Sequence, residues 1–299
     1  MAPYVVTSAD RAWWDRCPRA WDLGARARRG LVPRHEAPVI DTDVGAVRRG
    51  LAVYYFPGMW SWERSIVRPL VAADAASDRS RAALEAYCDW APTVDRFTPI
   101  RIDLDVEAPV ADPGLPGHDL GTIQAPVRYR DRVDAAVVDD DSRIWLVRHR
   151  FTDHWAELDE LALDEAALVA CWAFEYVEPA LTVVGILHNE LRLDAPAFRR
   201  TAVELEAGEV ARAARRLGRA AMAMLEAPTR PEPTPAWSHC RHCPFREPCL
   251  LTNRGRDAEG LLASAYERRS SDDTLEEGRL GGTSWSMGRG AAPLGSKRS

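Results

Sequence analysis

Apolar positions recur along this chain first with a helical period, then with a strand period, and finally with neither. Near the N-terminus, Trp13, Trp14, Cys17, Trp21 and Leu23 return at roughly helical spacing behind Ser8, the expected N-cap, with Pro18 as the irregularity. A second helical stretch starts near Thr42 and carries Val44, Val47, Leu51 and Tyr55 to Pro57; a third covers about Arg79 to Trp90. At residue 100 the period changes. Ile100, Ile102, Leu104 and Val106 alternate with polar residues, as a half-buried strand requires. After a Pro/Gly-rich break, ADPGLPGHD, come APVRYRDRVDAAVVDD and SRIWLVRHRFT, two strands joined by an Asp-rich turn. Residues 155–176 read as a helix with Leu161, Leu168 and Trp172 on its apolar side, and LTVVGILHNEL as a strand buried on both faces. Residues 204–226 read as a long helix, and PTRPEPTPAW as a connector into SHCRHCPFREPC. From 253 the periodicity fails, and 253–299 is expected to be a disordered tail. This order predicts an α/β core with an N-terminal helical arm and a C-terminal cysteine cluster.

Composition narrows the class. Of 299 residues, 46% are hydrophobic and 28% charged, which excludes a wholly disordered chain. No apolar run reaches the roughly 18 residues of a membrane span. MAPYVVTSADRAWWDR lacks the basic-then-apolar layout of a signal peptide, so a cytoplasmic protein is expected. The net charge of -6 excludes a basic coat for nucleic acid over the whole surface, but not a local basic patch. Lysine occurs once, at Lys297, and arginine supplies the rest of the 39 basic residues. A GC-rich coding sequence produces that bias, so a Lys-to-Arg replacement at any one site carries little functional weight.

Six cysteines are present, and Cys240, Cys243 and Cys249 fall in one short segment. In a cytoplasmic chain, such spacing points to a metal or cluster before a disulfide framework. Cys17, in DRCPRAW, is the candidate fourth ligand. Four thiolates suit an iron–sulfur cluster or zinc; His239 or His242 could enter a zinc site, and ordinary thiols are the plainer alternative. Closing the loop from Cys17 to Cys240 would be worth roughly 5 kcal/mol as a ceiling, so the centre would be structural. Cys88 and Cys171 lie in helical patterns and read as small core residues. His35, His118, His154 and His188 show no ligand spacing and read as surface or satisfied core groups.

The arrangement resembles the iron–sulfur branch of the RecB-like PD-(D/E)XK nucleases, which includes CRISPR-associated RecB-like exonucleases and the AddB nuclease domain. The resemblance rests on Cys17 in CPRAW, on Cys240, Cys243 and Cys249, and on RYRDRVDAAVVDDDSRIWLVRHRF; it covers about residues 5–252. It implies a restriction-endonuclease-like mixed sheet flanked by helices over 1–252, a 4Fe-4S cluster on the four cysteines, and DNA as partner, single-stranded or at ends. A helicase or nuclease partner protein is also implied. Asp131 falls where the family's metal-binding Asp stands, and Glu107 is a further carboxylate one strand earlier. The (D/E)-x-Lys triplet, however, reads Arg148-His149-Arg150. The helix-borne histidine would fall near Arg48 or Arg49, and Ala167 and Cys171 stand where a Gln-x3-Tyr motif belongs.

These departures change the chemistry. A guanidinium cannot ligate Mg²⁺ and repels it. On a strand, Arg148 and Arg150 share one face and His149 takes the other. The resemblance therefore implies a catalytically inactive, DNA-binding nuclease fold in DNA processing, repair or defence. Arg148 and Arg150 would contact a DNA phosphate, pair with Asp131 and Glu107, or do both at once. Arg26, Arg28 and Arg29 are candidates to line a single-strand channel, with Trp13 or Trp14 stacking on bases or packed in the core. The alternatives are an active exonuclease, with Mg²⁺ or Mn²⁺ on Asp131, Glu107 or Asp134, and a protein-interaction scaffold.

Overall fold

Capping and pairing partners decide where each element begins. In the computed structural model, residues 4–34, 42–111 and 127–268 are described; the Pro/Gly-rich break from 112, His35, His118 and the chain beyond 268 lie outside them. A short strand, β1 (Tyr4–Thr7), opens the fold. Helix α1 (Ser8–Arg16) follows, and its N-cap is Thr7 rather than Ser8: the Thr7 and Asp10 side chains close a reciprocal capping box. Extended backbone at Cys17 ends α1 and starts α2 (Pro18–Gly24), with proline in its first turn. Then come β2 (Leu31–Pro33), α3 (Thr42–Tyr54), a 3-10 turn at Pro57–Met59, α4 (Arg64–Val71), α5 (Asp78–Val94) and β3 (Phe97–Pro109). The hairpin β4 (Val127–Asp139) and β5 (Ile144–Phe151) leads to α6 (Leu158–Ala162), α7 (Glu165–Val177), β6 (Val183–Arg192) and β7 (Ala197–Glu204). Helices α8 (Glu209–Glu226), α9 (Trp237–Cys240), α10 (Arg246–Asn253) and α11 (Glu259–Ala265) precede the last strand, β8 (Tyr266–Arg268).

The main sheet is mixed. Strands run β1-β4-β5-β6-β7, and β3 lies along the other edge of β4. Pairs β1/β4 and β5/β6 are parallel; β3/β4, β4/β5 and β6/β7 are antiparallel. One face packs Trp21, Tyr129, Leu146, Phe174, Leu217 and Met224 with α7 and α8. The other packs Leu51, Tyr87, Val147 and Leu187 with α3, α4 and α5. This is the α/β class expected, a mixed sheet flanked by helices. No helix among the described residues is long and apolar enough to cross a membrane.

Several expectations need correction. The span 155–176 is two helices, because Asp164 starts a new one with its own cap. The long helix begins at Glu209, behind Gly208 at φ 78°, and residues 197–204 form strand β7. The tail does not begin at 253. Helix α11 and strand β8 follow, and β8 pairs antiparallel with β2, Leu31 opposite Arg268. A third apolar cluster, Cys17, Ala20, Leu23, Phe245, Leu262 and Tyr266, holds that end of the chain to the N-terminal arm.

Candidate functional site

The distinctive feature of the sheet is a fork. On one edge, β4 pairs with β1 as far as Arg130 and with β5 only from Ala135 onward. Residues 131–134 therefore have no ladder partner on that edge, and side chains fill the gap. Ser8 Oγ donates to Asp131 Oδ1 at 3.2 Å, and the Arg132 N–H to the same oxygen at 2.8 Å. Tyr129 OH donates to Asp131 Oδ2 at 2.6 Å; burial first, then that carboxylate, pushes the Tyr129 pKa well up. Asp134 takes the His149 N–H at 2.8 Å and Arg48 Nη1 at 2.7 Å, while Arg48 Nη2 reaches the His149 carbonyl at 3.2 Å. Arg48 thus closes the open edge of β5. Despite burial, the Arg48 guanidinium and the His149 backbone N–H hold the Asp134 carboxyl below its usual range.

Arg148 and Arg150 lie on the α7 face with Leu146, as strand alternation requires, and His149 lies on the other. Arg148 Nε is 3.3 Å from Asp164 Oδ2. The fields of Asp164, Asp131 and Asp134 keep its pKa raised against burial. Glu107 is not part of this group. Val106, not Glu107, is opposite Asp131, so the Glu107 carboxylate projects from the other face and pairs with Arg128 and Arg130. The expected pairing of Arg148 or Arg150 with Glu107 is replaced by the Arg148–Asp164 pair. Ala167 and Cys171 are buried core residues of α7.

Beside Arg148 stands His188, in register with it on β6, fully buried, with neither ring nitrogen hydrogen-bonded. Burial lowers its pKa to about 4, Asp164 opposing and Arg150 and Arg148 assisting. The sequence reading of His188 as surface or satisfied is corrected accordingly. On the opposite face, Asn189 Nδ2 is 2.9 Å from His149 Nδ1 and donates to Tyr87 OH at 2.8 Å. An amide nitrogen only donates, so His149 Nδ1 accepts and the ring is neutral. The chain continues through Tyr87 OH to Tyr55 OH at 2.6 Å, and through Arg200 to Asp95. This network fixes the sheet against α3 and α5.

The N-terminal arginines are engaged within the protein. Arg28 pairs with Asp22 and donates to the Pro228 carbonyl at 2.7 Å, and Arg29 pairs with Glu259 at 2.7 Å. Arg26 likewise has an interaction partner. Trp13 packs edge-on against Phe245, and Trp14 against Trp21. These groups clip the arm to the C-terminal segment.

Cys17, Cys240 and Cys243 lie near one another in the same region. Cys17 is buried in the third apolar cluster with Phe245, and Cys243 packs on it. Burial raises the Cys243 thiol pKa; a hydrogen bond from the Phe245 backbone opposes this, and the Cys17 and Cys240 charges add to it. All six cysteines are free. Among the described residues no three His, Cys, Asp or Glu side chains stand in a metal-ligating group.

Comparison with known proteins finds no matching family and no matching curated sequence. Among solved structures, the crystal structure of SSO0001 is similar at 11% identity with a TM-score of 0.31, over 66% of this chain and 82% of that one.

Proposed function

We propose that this chain is a DNA-binding protein on a RecB-like nuclease fold whose metal centre has been replaced by arginine, and that it does not cut DNA. The observation that carries the reading is the place of Arg148, within the fields of Asp131, Asp134 and Asp164. A permanent cation there does what a bound metal would otherwise do for the carboxylates, and it obstructs the metal itself. The residues present do not fit Mg²⁺ or Mn²⁺, and hydrolysis would lack an agent to activate water. Among the described residues Arg150 has no hydrogen-bond or ion-pair partner, which leaves it to meet a phosphate with two parallel N–H donors matched to its oxygens. Such a contact positions a strand without reading its sequence.

Cys17, Cys240, Cys243 and Cys249 would hold a 4Fe-4S cluster, zinc being the other candidate. The group would supply a rigid cross-link between arm and C-terminal segment. This reading rests on ligand spacing and on the meeting of Cys17 with Cys243 in one cluster.

The test combines a nuclease assay and a mobility shift. The full chain is incubated with single- and double-stranded DNA in Mg²⁺ and in Mn²⁺, and DNA binding is read at two salt concentrations. The expected result is salt-sensitive binding with no cleavage. Metal-dependent cleavage abolished by Asp131→Ala would establish an active exonuclease instead. Absence of binding at low salt would leave the scaffold reading.

A further inference from the structure

Strand register sets a row of charge next to the fork. Arg150 on β5 lies opposite Glu190 on β6, and Glu190 opposite Arg199 on β7. Arg192, two residues beyond Glu190, shares that face. Above this row runs the loop after β5, where Trp155 takes the Arg192 guanidinium at 4.0 Å from its ring centroid and the Arg199 guanidinium at 5.5 Å.

The carboxylates here are already committed. Glu190 is fully buried; it accepts the Ala156 N–H at 2.8 Å and Arg199 Nε at 2.7 Å. Asp164 is committed to Arg148. Two of the four guanidiniums are left without an anion. Among the described residues Arg150 makes no hydrogen bond or ion pair, and Arg192 has a buried Nε without an acceptor and the Trp155 ring as its contact. Both residues are half-buried, and His188 lies in the neighbouring row with two unpartnered nitrogens. Like charges held together, partly desolvated and unpaired, repel one another and raise the local potential. An anion relieves that cost. From strand spacing and rise, the Arg150 and Arg192 Cα atoms lie about 8 Å apart, within reach of successive phosphates for two long side chains.

Resting on the DNA-binding reading, we infer that the phosphate backbone of a single strand runs from Arg150 to Arg192 across the end of β6, with Trp155 as the positioning residue for Arg192. Trp155 does not stack on a base; its ring holds the guanidinium by a cation–π contact and aims the remaining donors outward. Phosphate is the matching chemistry because each guanidinium offers a planar fork of donors.

The experiment is fluorescence anisotropy of the full chain with a fluorescein-labelled oligothymidylate of about 20 nucleotides, repeated across salt concentrations. For single strands, each phosphate contact contributes about 0.7 to the slope of log affinity against log salt. Arg150→Gln and Arg192→Gln should each weaken binding and each reduce the slope by about 0.7. Trp155→Ala should reproduce the Arg192→Gln effect, and Trp155→Phe should restore most of it. Arg150→Lys and Arg192→Lys retain the charge and should keep the slope. Arg219→Gln, an exposed position on α8, should change nothing. If the wild type binds and folded Arg150→Gln and Arg192→Gln proteins keep its affinity and slope, the path is elsewhere; the DNA-binding reading then survives and this inference does not. A wild type that fails to bind at low salt overturns both.

Discussion

Asp164 serves Arg148 and the backbone of α7 at once: Oδ2 faces the guanidinium at 3.3 Å, and Oδ1 accepts the Ala167 N–H at 3.1 Å. One carboxylate thus caps the helix over the site and neutralises Arg148. Asp164→Ala should cost about 2–3 kcal/mol, from a lost cap and a partly buried arginine left unpaired. Asp164→Asn keeps the cap acceptor and should cost about half as much. Urea unfolding of the two variants checks both figures; equal costs would mean that the ion pair contributes nothing.

Stability should fall on mild acidification. Burial lowers the pKa of His149 to about 4, Asp134 opposing and Arg48 and Arg200 assisting, and that of His188 to about 4 as well. The unfolded chain protonates these rings near 6.5, where the folded chain does not. Stability is therefore full above about pH 6.5 and is lost as pH falls toward 4, by about 1.4 kcal/mol per pH unit for each histidine. Asp139, held down to about 2 by the Trp145 and Arg143 hydrogen bonds despite desolvation, acts in a separate and lower window. Urea midpoints at pH 7, 5.5 and 4.5 measure the slope. His149→Gln and His188→Gln should each flatten it, and a pH-independent midpoint would exclude the mechanism.

Gly185 is a packing position. A Cβ there would lie 2.6 Å from Trp145 Cε3 and 2.6 Å from the Val203 carbonyl oxygen. The indole cannot swing away freely, because its Nε1–H donates to Asp139 Oδ2 at 2.9 Å. Gly185→Ala should destabilise by about 1–3 kcal/mol or more through overpacking in the β5–β6–β7 layer. Thermal unfolding reads the loss directly.

Protein purified without oxygen should contain iron and acid-labile sulfide and absorb in the visible range. Cys243→Ala should remove both and loosen the arm, seen as faster proteolysis near Cys17. Zinc without sulfide would make the centre a zinc site; neither metal would reduce the cysteine spacing to coincidence.

Much of the sheet was legible because its strands bury one or both faces. The alternation through Ile102, Leu104 and Val106, the Asp-rich turn, and the apolar run of β6 all mark strands that the structure contains. The opposite faces of Arg148 and His149 followed from the period of two. Strand β7 was hidden because no residue in it is fully buried, and its Arg199 and Arg200 serve buried acceptors that only the fold brings near. Strand β1 is four residues long, and its partner begins at Val127. Helix α4 contains Pro69 and exposes Ile66 and Leu70, which obscures its period. The fork at Asp131 depends on where two separate strands stop pairing with β4, which no local pattern encodes. Trp155 and Arg192 were missed for a similar reason: their contact joins a loop to the end of a distant strand.

The pairing of β2 with β8, Leu31 opposite Arg268, has a kinetic consequence. It joins two short segments separated by nearly the whole described chain, so the entropy of closure must be met before the few hydrogen bonds return anything. The main sheet can condense without that junction. The junction should therefore form late and open early, as a local unit whose amides exchange with solvent while those of β4 and β5 stay protected. Any fragment ending at the cysteine segment would lose it entirely, along with the Tyr266 ring stacked on Phe245 and the Tyr266 hydroxyl that donates to the Pro244 carbonyl at 2.6 Å.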